Sequence, residues 1–165
     1  MKTVYTIASM ISAAVLGATT AFAQGDEITR EDKEFLKNAS EMGITEVELG
    51  KLAMERGSNE EVKAFGKKMM SDHKMANERL EKLAKKKKVE LKMESTSAQK
   101  QMLSAFEKKS GAEFDKEFWE HVAKDHESAI KTFQDAAKDA KDADVKAFAE
   151  ETLPALKKHH SSVKK

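Results

Sequence analysis

The sequence contains no cysteine, which excludes disulfides, thiolate catalysis, cysteine-held iron–sulfur clusters and haem attached through Cys-x-x-Cys-His. One proline and seven glycines supply too little turn chemistry for a sandwich of short strands, and too little of either residue for a collagen-like fibre. Aromatic residues are scarce at 6%, so any core must draw heavily on Leu, Met, Val and Ala. An excess of one charge is missing as well. The net charge is +1, and Lys2 is the one charged residue before Gln24, so the chain beyond that point is neutral and lacks the basic excess of a nucleic-acid-binding protein. There is no phosphate-binding glycine loop, no His-Glu-x-x-His, no Gly-x-Ser-x-Gly and no Ser/His/Asp constellation, so ordinary hydrolase chemistry has no foothold. What is abundant is charge of both signs, 36% of residues, which suits amphipathic helices.

The first 23 residues have the make-up of a removable export signal. Lys2 is the positive start, Ile7 to Ala18 the apolar run, and Ala21-Phe22-Ala23 the small-x-small cleavage site before Gln24. The competing reading, a membrane anchor, sits poorly with the Ser, Thr and Gly residues between Thr3 and Ala23. The expectation is a signal peptide over 1–23 and one domain over 24–165, with no stable membrane span after cleavage. The mature protein is expected in the periplasm, or else secreted or associated with the outer membrane.

Beyond Gln24 apolar residues recur at spacings of three and four in four stretches. The first carries Phe35, Ala39, Met42, Glu46, Leu49 and Ala53 and stops at Gly57-Ser58-Asn59. The second carries Val62, Phe65, Met69, His73, Ala76, Leu80 and Leu83, and the short loop pairs the two antiparallel. From Lys85 to Ser97 the period fades into a lysine run, expected to be solvated, and a Ser/Thr cluster, read as a longer connection across the bundle end, and 97–109 forms a short extra helix ended by Gly111. A third long helix carries Phe114, Phe118, Val122, His126, Ala129, Phe133 and Ala136. After a turn over 138–144, a fourth carries Val145, Phe148, Thr152, Ala155, Leu156, His159 and Val163. The fold class is therefore all-α, an up-down-up-down four-helix bundle with the extra helix between its second and third long helices. Pro154 either kinks the last helix or begins a separate last turn. The echo of Glu61-Val62-Lys63-Ala64-Phe65 in Asp144-Val145-Lys146-Ala147-Phe148 suggests two related hairpins.

Glu46, His73, His126 and His159 occupy seam positions where Leu or Met belongs, one on each helix. With the two hairpin turns near Ser58 and Asp142 set at one level, counting from them brings the three histidines within about 3 Å of each other along the bundle, with Glu46 about one turn away. Three imidazoles and a carboxylate form a candidate site for one zinc, iron, manganese or copper ion. The bland counterpart is a buried hydrogen-bond network in which Glu46 pairs a protonated histidine. Asp72 and Asp125 precede His73 and His126 and diverge from them by about 100°, so they are placed to bond a neighbouring helix or orient a ligand. His121 and His160 fall off the seam and are expected to be solvated, although His160 could replace His159 if Pro154 rotates the helix end. The nine methionines read as core filling before copper ligands.

The segments Glu46-Val47-Glu48-Leu49-Gly50-Lys51-Leu52-Ala53, Val62-Lys63-Ala64-Phe65, Asp72-His73, Phe114-Asp115, Asp125-His126 and Leu153-Pro154 with His159 occur in an order and spacing that resemble the bacterial exported family known as domain of unknown function 4142. Its members are often labelled outer-membrane or periplasmic proteins. The resemblance implies a ferritin-like four-helix bundle, assigns no activity, and carries over Glu46, Asp72, His73, Asp115, His126 and His159 as a polar centre. A ferritin-like di-iron site needs a Glu-x-x-His pair on each of two helices. Here Met70 stands three residues before His73 and Leu156 three before His159, which leaves a single-metal site at most.

Three functions are compatible with these features: a bundle binding one transition-metal ion for metal handling or envelope stress tolerance; a metal-free structural or interaction bundle; and an oxidoreductase with a histidine-held haem or metal. The first is the expectation, without an assigned catalytic residue. The protein partner, and whether the chain is a monomer or a dimer, stay open.

Overall fold

The computed structural model describes residues 28–163, and the expected signal peptide over 1–23 lies outside the described residues. Five helices and no strand make up this region: α1 (Arg30–Arg56), α2 (Glu60–Lys87), α3 (Ser97–Glu107), α4 (Gly111–Asp139) and α5 (Ala143–Ser162). Their starts follow from local chemistry. Thr29, Asn59 and Asp142 each accept a hydrogen bond from a first-turn N–H of α1, α2 and α5, and Thr96 with Gln99 forms a reciprocal capping box on α3. Gly111, with φ +65°, is the first residue of α4 rather than the end of α3. α5 runs unbroken through Pro154, so the separate last turn is not formed.

The lysine run is not the solvated connection expected from its composition. Its first three residues complete α2, where cations offset the carboxyl-end dipole, and Lys87 pairs with Asp142 and Asp144 at the start of α5. Lys88 closes the helix in the left-handed region, φ 56°.

Helix directions follow from the contacts. In α1 and α2, Gly50 lies against Gly66 and Met70 while Gly43 lies against Asn77, an antiparallel register. A Cβ on Gly66 would stand 2.5 Å from that of Ala53, so the close approach of these helices depends on the absence of a side chain there. α4 and α5 are antiparallel too, with Phe133 on Phe148 and His126 on His159. Between the pairs, Phe65 meets Phe118 and His73 meets His126, so α2 and α4 run the same way.

The up-down-up-down order is therefore corrected to up-down-down-up. The cause is the connection after α2, which travels the length of the molecule. Ser40 donates to the Lys92 carbonyl, Gln99 donates to the Glu41 carbonyl, and Phe106 packs on Phe114 at the far end. As a result the two hairpin turns sit at opposite ends.

Buried apolar residues form two clusters. One gathers Phe35, Leu36, Leu80, Phe133, Val145, Phe148 and Leu156; the other gathers Leu49, Val62, Phe65, Met69, Phe114, Phe118 and Val122. On every long helix one buried ionisable residue falls between the two: Glu46 between Ala39 and Leu49, His73 between Met69 and Leu80, His126 between Val122 and Ala129, and His159 just past Leu156. The core is divided by a polar belt.

Candidate metal centre

All four belt residues are buried, His126 and His159 to 1% exposure, Glu46 to 3% and His73 to 8%. One ring nitrogen from each of His73, His126 and His159 lies within 4.8 Å of the other two, and Glu46 is outside that set. The closest pair is His126 Nε2 and His159 Nδ1, 3.2 Å apart. Two ligands of a tetrahedral ion at 2.0–2.1 Å stand about 3.3 Å from each other, so this spacing fits a shared metal. Hairpin counting assumed that both turns lie at one end, which the fold overturns. The residues still converge, because each lies towards the same belt from its own end.

The outer nitrogens are held. His126 Nδ1 lies 3.1 Å from the Val122 carbonyl oxygen, and His159 Nε2 lies 2.8 Å from Asp72 Oδ2. Asp72 also accepts from Lys68 at 2.7 Å. Burial alone would raise Asp72, but hydrogen bonds from Lys68 and His159 outweigh it and hold the carboxyl below its ordinary value. The result is a carboxylate–histidine arrangement aimed inward, the orienting device common around metal-bound histidines.

The protons can be counted. A chain of three links runs Val122 carbonyl, His126, His159, Asp72 carboxylate, with an acceptor at both ends. Filling three links takes three protons, and two neutral imidazoles carry two. If the ends are satisfied, His126 Nε2 and His159 Nδ1 face each other as lone pairs, which repel unless a cation sits at their junction. A third proton would do the same by making one ring an imidazolium, but burial works against it. Burial is the main cause lowering His73 to about 3 and His126 to about 4, with repulsion among the rings adding to it. His159 is lowered as well, burial exceeding the pull of Asp72. At neutral pH the rings are thus in the form that binds metal.

Glu46 borders a cavity together with His73 and His126. Burial, then its hydrogen bond to Asp125 and the charge of Asp125, raises its carboxyl well above the ordinary value. Asp72 and Asp125 thus both touch the belt, one through His159 and one through Glu46. Asp115 does not belong to it: its carboxylate accepts from Ser58 N–H, Ser58 Oγ–H and Asn59 N–H at the first hairpin turn. His121 is half-buried against Phe106 rather than solvated, and burial lowers its pKa. Sequence reasoning missed Lys68 and the Val122 carbonyl. Lys68 was within reach as an i,i+4 partner of Asp72; a backbone carbonyl leaves no mark in residue identity.

An all-helical domain with three buried, convergent histidines that could hold a metal is the class of protein these features define. The family model described as "Domain of unknown function (DUF4142)" matches residues 17–165, and the chain belongs to that family. No curated protein matches it. Among solved structures, the crystal structure of a DUF305 fragment from Deinococcus radiodurans is similar, with a TM-score of 0.72 at 10% identity over 82% of this chain and 94% of that chain. At that identity the likeness concerns the fold alone. Among the described residues no helix is long and apolar enough to cross a membrane.

Proposed function

We propose that this chain is a ferritin-like four-helix domain that binds one divalent transition-metal ion through His73, His126 and His159. In this reading the protein is exported after removal of residues 1–23, and it serves metal handling or tolerance of envelope stress. The ferritin-like assignment is supported by the single long crossover between α2 and α4, the connectivity of that kind of bundle. The absence of any Glu-x-x-His pair argues for a single ion rather than a di-iron centre.

One observation carries the metal reading: three buried histidines each bring a ring nitrogen within 4.8 Å of the other two, and His126 Nε2 and His159 Nδ1 lie 3.2 Å apart in a three-link chain for which two neutral rings supply only two protons. Three neutral nitrogen donors suit zinc, copper or iron better than manganese, which prefers oxygen. The metal-free reading has its own support. A single imidazolium at His159, paired with Asp72, would fill every link and turn the belt into a packing device. Metal analysis of protein purified without a histidine tag separates the two. About one equivalent of zinc, copper or iron, lost on replacing His126, is expected. Metal-free protein that takes up no added ion would leave the packing reading standing.

A further inference from the structure

The belt does not fill its own space. A cavity of about 20 Å³ lies inside the bundle, large enough for one water-sized body. Glu46, His73, Asn77, Asp125, His126 and Thr152 are its polar lining; Ala129 and Phe133 are among its apolar walls. Among the described residues two buried side-chain atoms lack a hydrogen-bond partner, Glu46 Oε2 and His73 Nε2. Both belong to residues that line this one cavity. An isolated orphan atom is a cost to the fold, but two on residues that border one small polar space call for groups that satisfy them, a metal at the imidazole nitrogen and a hydrogen-bonding body at the carboxyl oxygen.

The three histidines can meet an ion without Glu46, which is outside the set of converging ligand atoms. Three protein ligands leave a tetrahedral ion with one position free, as in catalytic rather than structural sites. The cavity touches two of the three ligands, so that free position opens into it. The geometry points to an open coordination position, occupied by one small exogenous ligand, water or an anion of one or two heavy atoms, that bridges the histidine-held metal and the carboxyl group of Glu46. This rests on the metal reading above and deepens it. Glu46 is then a positioning residue: Asp125 orients it from one side, and it hydrogen-bonds the metal's ligand rather than the metal. The volume, about that of one water, sets the size limit, and the apolar walls offer a bulkier group no polar contact.

The test uses untagged, chelator-treated protein loaded with cobalt(II), whose visible bands report the ligands around the ion, and cyanide as a two-atom probe. Wild type, Glu46→Gln and Glu46→Leu are compared, each checked for helicity. All three are expected to bind one cobalt. Cyanide should shift the bands of wild type to saturation at one equivalent per cobalt. Its affinity should stay within a few-fold in Glu46→Gln, which still offers a polar partner, and fall by about tenfold or more in Glu46→Leu. Cobalt bound with bands indifferent to cyanide would overturn the open position. So would a loss of cobalt affinity of well over about 100-fold in the isosteric Glu46→Gln, beyond what an outer hydrogen-bonding group is worth, which would make Glu46 the fourth ligand of a closed site. Failure of wild type to bind cobalt at all would overturn the metal reading itself, and is seen before cyanide is added.

Discussion

Asp32 and Asp115 serve the same purpose at opposite ends of the molecule. Asp115, near the start of α4, accepts from the backbone N–H groups of Ser58 and Asn59 in the turn of the α1–α2 hairpin. Asp32, near the start of α1, accepts from those of Lys141 and Asp142 in the turn of the α4–α5 hairpin. The interval from 32 to 115 is the interval from the cap Asn59 to the cap Asp142, and from Phe65 to Phe148. Each hairpin thus clasps the turn of the other through an equivalent carboxylate, the arrangement expected of two related halves.

Either clasp should be measurable alone. Asp32→Ala and Asp115→Ala each leave backbone donors at a helix start without their charged acceptor, which costs about 1–3 kcal/mol. Because they lie at opposite ends and share no partner, the double variant should lose nearly the sum in urea unfolding. A loss at either site below about 0.5 kcal/mol would mean that water replaces the carboxylate freely.

The apolar clusters on either side of the belt make a second expectation. Phe65 and Phe148 occupy equivalent places in the two hairpins, at 9% and 6% exposure. Truncation to Ala should cost about 3–5 kcal/mol at each. Gly66→Ala, which forces a methyl group onto Ala53, should cost about 1–3 kcal/mol despite adding only one carbon. Chemical denaturation of the three variants checks this, and a neutral Gly66→Ala would show that α1 and α2 can separate at no cost.

The two halves also explain what could be read from the residues. Seam positions were legible because burial obeys a helical period whatever the connectivity, and the polar interruptions at 46, 73, 126 and 159 stood out against it. Helix direction was not legible. Both hairpin loops are short, but the direction of α4 depends on the path of residues 88–110, and that path is set by tertiary contacts such as Ser40 to Lys92 and Gln99 to Glu41. Asp115 was grouped with the centre because it belongs to the quoted motif; its actual partner is a backbone turn distant in sequence. The lysine run read as solvated because Asp142 and Asp144, which Lys87 meets, come from the far end of the chain.

Acid should weaken the metal-free protein earlier than ordinary carboxylates would. The folded-state values of His73 and His126, about 3 and 4, lie below the ordinary value of 6.5. Between those limits the unfolded chain binds protons that the folded chain refuses. Stability from these rings is full above pH 6.5 and declines as pH falls towards 4. Glu46, raised by burial, acts oppositely: its contribution is full below its ordinary value of 4.5 and declines as pH rises through its folded value. Urea midpoints between pH 4.5 and 8 should fall at the acid side in wild type and flatten in His126→Leu. Equal slopes in both proteins would mean that His126 is already protonated in the fold.

Asp72 should tune the centre without being part of it. Asp72→Asn keeps a hydrogen-bonding group beside His159 but removes the charge that orients and polarises the ring. Metal affinity should drop by about 10–100-fold with the helical content intact. An unchanged affinity would assign Asp72 to its surface pair with Lys68 alone.

The central claim, one metal held by three histidines, is tested most directly by calorimetric titration of untagged, chelator-treated protein with zinc at pH 7.5, alongside His73→Ala, His126→Ala and His159→Ala. The account predicts one site per chain in wild type, with affinity reduced by orders of magnitude in all three variants. It also predicts a wild-type melting temperature that rises with zinc concentration. Zinc binding that persists unchanged in the variants, or wild-type protein that neither binds zinc nor melts higher with it, would contradict the claim.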